Sequence, residues 1–317
     1  MTRIAIIGAG IMGANHARVL RTIPGAEVTA VVDPDAERGM RLADLVGGEY
    51  RPDAHEVSAL AEAAVIAGPS EQHAAIGIPL LEAGVDLLVE KPLATDVADA
   101  QALVAAAREH GCLLMVGHIE RFNPAVLELD RLIAEPVHLE FTRMGPFTPR
   151  VTADVVLDLM IHDLDLALSF ADSEVTDVQG VGRAVRSDTI DIASVLLTFA
   201  NGVSAAITAS RVGQPKVRRI ELTQRENFVM VDLVRQDVTI HRVDHSEFLS
   251  DKGTRYRQTG LVEIPFLEHR GEPLALELEH FVDCVRTRAT PRVTGEQGLR
   301  ALELALRARD SFAVRSD

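Results

Sequence analysis

Arg3-Ile4-Ala5-Ile6-Ile7-Gly8-Ala9-Gly10-Ile11-Met12-Gly13 is the stretch that decides the fold. A short apolar run, the signature of a buried strand, leads straight into three glycines and then into a helical pattern. In that setting the first glycine permits a tight turn and the second lets a pyrophosphate approach the backbone. The third lets helix and strand pack closely. The helix expected over Ile11–Ile23 offers unpaired N–H groups and a positive dipole end to phosphates. Asp33 closes the next apolar run, twenty residues after Gly13. A carboxylate there accepts both ribose hydroxyls and repels a 2′-phosphate, so the expected cofactor is NAD rather than NADP. The residues assigned to it here are Gly8, Gly10, Ile11, Met12, Gly13 and Asp33.

Outward from this turn, the first ~120 residues alternate apolar runs with helical patterns, which is the mark of βαβ units. Strands are expected at Arg3–Ile7, Glu27–Val32, Ala64–Ala67, Val85–Glu90 and Cys112–Val116. Helices are expected at Ile11–Ile23, Asp35–Val46, Ser70–Ala83 and Asp96–His110. Parallel strands buried on both faces read as continuous apolar runs, and these do. Residues 1–120 are therefore expected to form a doubly wound parallel sheet, a Rossmann-type NAD-binding domain.

Two later strand ends add candidates, because ligands of open α/β sheets bind outside the carboxyl ends of the strands. Gly68-Pro69-Ser70 follows the run Ala64–Ala67, so Pro69 and Ser70 could lie against the adenine or ribose. Ser70 could equally be a helix N-cap. Glu90-Lys91-Pro92 ends the run Val85–Val89, which places Glu90 and Lys91 near the reactive end of a dinucleotide. A solvated Lys in a strand-to-helix turn is the competing reading. Pro92 makes the Lys91–Pro92 bond a candidate cis peptide.

After Gly117 the pattern changes, and residues 121–317 are expected to form a second α/β domain. A helix over Asn123–Ala134, a strand over Val137–Met144 and a helix over Asp154–Ala171 come first. Alternating segments follow at Thr176–Arg186, Thr189–Phe199, Val203–Val212, Arg218–Gln224, Phe228–Leu233 and Val238–Val243. Such a succession suggests a mostly antiparallel sheet. Two helices, Pro273–Arg288 and Gly295–Val314, close the chain, and the terminal one could pack back on the first domain.

Composition narrows the function. With 317 residues, 47% hydrophobic and 25% charged, the chain is long enough for two globular domains. Its formal net charge of −15 argues against nucleic acid or an anionic membrane as a general partner. The two cysteines, Cys112 and Cys284, are far apart and match no metal-ligand spacing. No apolar stretch reaches the ~18 residues of a membrane span, and no signal-peptide layout opens the chain. A soluble, cytoplasmic protein is expected.

The chemistry-bearing segment of the second domain is Asp158-Leu159-Met160-Ile161-His162-Asp163-Leu164-Asp165. On a regular α-helix, residues three and four apart share a face, so Asp158, His162 and Asp165 should project together. A carboxylate one turn from an imidazole can fix its tautomer and support the imidazolium formed on proton abstraction. A helix with a wet acidic face would read the same way. A bound metal is not expected, because no second His or Cys cluster joins the set. Two basic islands interrupt the acidic chain, Arg143 to Arg150 and Arg211 to Arg219. Either could hold a phosphate or balance neighbouring acids, and the first is favoured because it lies just before the His162 helix.

Taken together, the glycine turn, Gly68-Pro69-Ser70 with His73, Ala83-Gly84 leading into Glu90-Lys91-Pro92, and Asp158-x-x-x-His162 resemble the Gfo/Idh/MocA oxidoreductases. The resemblance covers nearly the whole chain. It implies a Rossmann domain, an α/β domain whose open sheet mediates homodimers or homotetramers, bound NAD, and Lys and His beside the substrate carbon. Within the family, Gly117-His118-Ile119-Glu120-Arg121-Phe122-Asn123-Pro124 and Gly145-Pro146-Phe147 resemble the nucleotide-sugar 3-dehydrogenases that act on UDP-N-acetylglucosamine. The chain departs from many members at Met160, where they carry glycine. On this footing His162 is the expected general base and Lys91 the partner of the substrate oxygen. Asp158 would orient His162 or bind a neighbouring hydroxyl, and Arg121, Asn123 and Arg150 are candidates for a UDP-sugar. Dehydrogenation of an inositol, a free sugar or a dihydrodiol is the nearest rival, and a non-catalytic NAD sensor the more distant one.

Overall fold

The computed structural model describes residues 1–148, 153–250 and 254–312. The chain divides into two compact units, Met1–Phe122 with Gly271–Glu303, and Asn123–Arg270 with Leu304–Asp317. The segment 271–303, read from sequence as part of the second domain, thus belongs to the first unit.

The first unit opens with β1 (Thr2–Ile7), α1 (Ile11–Leu20), β2 (Ala26–Val32), α2 (Ala36–Val46), β3 (Glu49–Arg51) and α3 (Val57–Leu60). It continues with β4 (Ala63–Ile66), a 3-10 turn (Ser70–Gln72), α4 (His73–Glu82), β5 (Asp86–Glu90), α5 (Val97–His110) and β6 (Leu114–Gly117), and a further 3-10 turn spans Ile119–Phe122. The six strands are parallel in the order β3-β2-β1-β4-β5-β6, the doubly wound order with its switch between β1 and β4. Leu87, Leu88 and Val89 are fully buried, which is why their run shows no alternation. Ser70 starts a 3-10 turn before α4 rather than the α-helix expected there. The three-residue β3 was not anticipated, since Glu49-Tyr50-Arg51 carries no apolar run.

The second unit begins with α6 (Pro124–Leu132) and β7 (Pro136–Met144). A π-turn (Val156–Met160) runs directly into α7 (Ile161–Ala171). Then come β8 (Val175–Arg183), β9 (Ile192–Phe199), β10 (Ser204–Ser210), β11 (Val217–Gln224), β12 (Asn227–Asp232), β13 (Asp237–Ser250) and β14 (Thr254–Glu263). These build an eight-stranded sheet in the order β14-β13-β12-β11-β7-β10-β9-β8. It is antiparallel throughout except for the central pair β7–β10. Leu139, Phe141, Ala205, Ile207, Ile220 and Leu222 point to one face and are buried, and α7 packs against β7 and β10. The other face carries polar pairs, His138 with Ser204 and Ser194 with Thr208, and leaves Leu196 about half exposed.

The chain ends in α8 (Pro273–Thr287) and α9 (Gly295–Asp310), and the two units divide within α9. Between these helices, the Val116 N–H donates to Val293 O at 3.1 Å, and Met115 bridges Thr294. A Cβ on Gly298 would come within 2.4 Å of the Val116 side chain, so only glycine lets α9 sit this close to β6. Arg288 pairs with Asp86 and donates to Gly111 O, fastening the segment to the first unit a second time.

Candidate active site

In the first unit the assigned residues all stand at the carboxyl ends of β1, β2, β4 and β5. Gly8 has φ +98, and an added Cβ would lie 2.8 Å from Gly68 N. On Gly13 a Cβ would fall 1.7 Å from Gly8 O, so both glycines are required by backbone packing. Gly10 differs: nothing lies within 4 Å of where its Cβ would be. It precedes α1, whose first turn has no side-chain cap. Open space beside Gly10 and uncapped N–H groups form a cradle suited to a diphosphate. Ile11 is exposed beside that cradle and Met12 lies at its edge.

Asp33 is 2% exposed. It accepts hydrogen bonds from the Ala9 N–H at 2.7 Å and the Asp35 N–H at 2.8 Å. Arg38 donates to both of its carboxylate oxygens, Nε at 3.2 Å and Nη2 at 2.7 Å. Burial opposes ionisation of Asp33, but the bonds from Arg38, Ala9 and Asp35 outweigh it and hold its pKa below the usual carboxylate range. Arg38 was not singled out from the sequence. The signal was its position in the first turn of the helix after Asp33, on the same strand-to-helix connection.

Lys91 is half-buried, follows β5, and is joined to Pro92 by a cis peptide bond. Two buried histidines hold its surroundings. His73 Nδ1 lies 3.1 Å from Pro92 O and its Nε2 lies 3.2 Å from Gly68 O, which ties the Gly68-Pro69-Ser70 loop to the Lys91 turn. Burial lowers the His73 pKa, and the carbonyl contacts only partly offset that. His16, on α1, places Nε2 2.7 Å from Glu90 Oε1. The other oxygen, Oε2, accepts from the Lys91 N–H at 3.3 Å. A Cβ on Gly117 would crowd this carboxylate at 3.2 Å, so a glycine in β6 makes room for it. Burial works against the Glu90 charge, yet the His16 hydrogen bond, the neighbouring His16 and Lys91 side chains and the Lys91 N–H hold its pKa below the ordinary value. Glu90 is thus an anchor beneath Lys91.

Arg121, also in the first unit, is 5% exposed on the turn after β6, and its carbonyl accepts from Arg292 Nε at 2.9 Å.

In the second unit the Asp158–His162 segment is not the regular helix that the sequence suggests. Val156–Met160 is a π-turn, so the face shared by residues three and four apart is shifted. Asp158 and His162 are half-buried, whereas Asp165 is 3% exposed and turned into the unit. Such one-turn π-bulges are frequent at functional sites. Asp154 opens the turn, its Oδ1 accepting from the Val156 and Leu157 N–H groups. Met160, the departure from glycine, is fully buried.

Both basic islands have their leading arginine held by contacts inside the second unit. Arg143 on β7 is 2% exposed and forms a two-pronged ion pair with Asp163, the neighbour of His162, at 2.7 and 2.6 Å. Arg211 donates to Asp191 Oδ1 at 2.7 Å and to Ala153 O at 2.6 Å, just ahead of the π-turn. Burial disfavours the Asp191 charge, but N–H groups of Arg186 and Val185, Arg211 and Ser187 together hold its pKa well below the usual range. Neither Arg143 nor Arg211 is therefore placed as a phosphate ligand. Arg150 lies outside the described residues. Asn123 holds the backbone together instead. Its side-chain oxygen caps α6 at the Ala125 N–H, and its amide nitrogen donates to Leu233 O at 3.0 Å. Among the described residues no cluster of three or more His, Cys, Asp or Glu could hold a metal ion.

A parallel sheet in this order, a glycine turn at its switch point and a carboxylate at the next strand end define a dinucleotide-binding Rossmann domain. The sequence signature of the oxidoreductase family with an NAD-binding Rossmann fold matches residues 2–118, and that of the GFO/IDH/MocA C-terminal domain matches residues 135–226. The chain belongs to the Gfo/Idh/MocA family, and its cofactor is NAD. It is 32% identical to UDP-N-acetylglucosamine 3-dehydrogenase of Acidithiobacillus ferrooxidans, over 97% of this chain and 96% of that one. A solved structure of that enzyme superposes with a TM-score of 0.88, covering 98% of this chain and 97% of that one. It is also 30% identical to the NAD-dependent scyllo-inositol 2-dehydrogenase of Bacillus subtilis, over 98% of this chain and 94% of that one. The protein is a dehydrogenase of the sugar and polyol group.

Proposed function

We propose that the protein oxidises the 3-hydroxyl of UDP-N-acetylglucosamine with NAD. The observation that carries this reading is the 32% identity, over nearly the full length of both chains, to an enzyme named for that reaction. The short segments Gly117–Pro124 and Gly145–Phe147 support it. Bound NAD supplies a hydride acceptor. The Gly8–Gly13 turn and the start of α1 hold its diphosphate, Asp33 its ribose, and Pro69 and Ser70 flank it. Glu90 fixes the Lys91 turn from below.

His162 takes the hydroxyl proton as general base, and the Lys91 ammonium donates a hydrogen bond to the same oxygen as negative charge develops there. Asp158 orients His162 or accepts from a neighbouring hydroxyl. Arg121 and Arg150 serve the UDP moiety, for which a planar guanidinium is well suited. The half-exposed face of the eight-stranded sheet would join copies into a homodimer or homotetramer. We place the enzyme in the cytoplasm; both cysteines are free thiols, and no described helix is long and apolar enough to cross a membrane.

The test is NADH formation, followed by its absorbance, against UDP-N-acetylglucosamine, other UDP-sugars, free sugars and scyllo- and myo-inositol. Turnover confined to UDP-sugars is expected. Oxidation of inositols with no response to a UDP-sugar would establish the second reading, which the 30% identity to an inositol dehydrogenase favours.

A further inference from the structure

Glu277 lies in the second turn of α8 in the first unit and is 1% exposed. From the sequence it looks like one more acid in a helix that also carries Glu279 and Asp283 and follows Glu272. Neither of its carboxyl oxygens has a hydrogen-bond partner among the described residues. A carboxylate buried in that way is costly, and such a group keeps its proton instead. Burial does raise the Glu277 pKa well above the ordinary value, and the negative charge of Glu90 raises it further.

The groups around it explain why the proton stays there. α8 packs on α1, on β1 and on the Ile119–Phe122 turn. Of the ionisable residues these bring, His16 is bonded to Glu90, and Arg18 is paired with Glu272 at the start of α8. Arg3 sits at the exposed start of β1, and the turn carries Glu120 and Arg121. On α8 itself, His280 packs at a tilt against Phe122 and accepts from the Arg292 N–H. Glu90 has a histidine, a backbone N–H and the neighbouring Lys91 charge to support its ionised form. Glu277 has none of these. Two buried acids that interact share their protons as a unit, and here the environment sorts them, with the charge on Glu90 and the proton on Glu277.

We propose that Glu277 is a positioning residue: it carries the resident proton of a buried acid pair with Glu90, and that proton keeps the Lys91 turn in its working arrangement. When alkali removes it, a second anion is buried beside Glu90 and competes for His16 and for the turn above. The link to turnover rests on the reading of Lys91 as the partner of the substrate oxygen. The link to stability does not.

The experiment compares wild type with Glu277→Gln, which keeps the shape and cannot ionise. Native Glu277 holds its proton over a pH range in which the unfolded chain has lost it, so stability falls as pH rises through that range. From about pH 6 to pH 9, the wild-type thermal midpoint should decline more steeply than that of Glu277→Gln, where this contribution is lost. The carbonyl band of a protonated acid should also vanish from the infrared difference spectrum of the variant. In NADH formation with the best substrate of the panel, Glu277→Gln should keep wild-type turnover at the acid end and shift the alkaline fall to higher pH. Superimposable pH–stability profiles, or no difference in the carbonyl band, would overturn the proposal. So would a tenfold loss of turnover in Glu277→Gln at the acid end, since that would mean the charged form is needed. If Glu277→Gln does not fold, Glu277→Leu gives the same comparison of slopes. Absence of turnover with every substrate would sink the substrate reading while leaving the stability arm intact.

Discussion

The Lys91 turn and the Asp158–His162 turn are held by opposite means. Around Lys91 the fastenings are titratable: His16, Glu90 and His73 hold it, with Glu277 behind. Around His162 they are guanidinium–carboxylate pairs, Arg143 on Asp163 and Arg211 on Asp191. A guanidinium does not lose its proton in a protein, and both partners of each pair are buried, so neither alkali nor salt should loosen this second turn easily. It follows that pH should act on this enzyme chiefly through its cofactor unit and through His162 itself, while the scaffold of His162 stays fixed.

The largest effects should come from the two reacting groups. His162→Asn is expected to lower turnover by about 10²–10⁴ and to abolish the rise in rate near pH ~6.5 that a neutral imidazole base would give. Lys91→Ala should cost about 10²–10³ in kcat with NAD affinity little changed. Steady-state kinetics and a fluorescence titration with NAD would check both, and near-normal turnover in either variant would remove that residue from the mechanism.

Next, Asp163→Ala leaves Arg143 buried without its carboxylate, and should destabilise the second unit by about 3–5 kcal/mol in a denaturant titration. A cost below about 1 kcal/mol, the range of an exposed ion pair, would mean that the clamp is not what holds this turn.

A gentler test concerns acid. Asp191 has its pKa depressed in the folded state, so its contribution is fully present above the unfolded value and is lost only as pH falls toward the folded one. Asp191→Asn should therefore lower the thermal midpoint at neutral pH and flatten its fall on acidification. An unchanged acid limb would contradict the assignment.

The smallest expected change is in cofactor choice. Asp33→Ala frees the Arg38 guanidinium from its carboxylate, which should raise the use of NADP relative to NAD in parallel assays. An unaltered ratio would show that Asp33 does not set the preference.

Much of the first unit was legible because its strands are buried on both faces and read as plain apolar runs, and because its glycines answer to local backbone geometry. The alternating strands of the second sheet were legible for the complementary reason, one wet face. What escaped was set by contacts distant in sequence. Arg143 and Arg211 looked like phosphate ligands because their partners, Asp163 and Asp191, each lie twenty residues away on another element. Glu277 drew no reading from the sequence, because its burial depends on α1 and on the turn after β6. The π-turn left no trace in a pattern of apolar spacing, which assumes a regular helix. Arg38 was within reach, one helical turn from a carboxylate already singled out.

The docking of residues 271–303 on the sheet has a consequence for how the molecule comes into being. β6 meets the loop and helix that cover it through Val293, Thr294, Gly295 and Gly298, so a ribosome delivers the whole second sheet before the first unit can be finished. Until then Val116 and Asp86 wait for neighbours that lie some two hundred residues downstream, as the 202-residue separation of Asp86 and Arg288 shows. The nucleotide-binding module is therefore assembled from two separate stretches of the chain. A gene fragment ending at Phe122 would encode every strand of its sheet and still lack one of its walls.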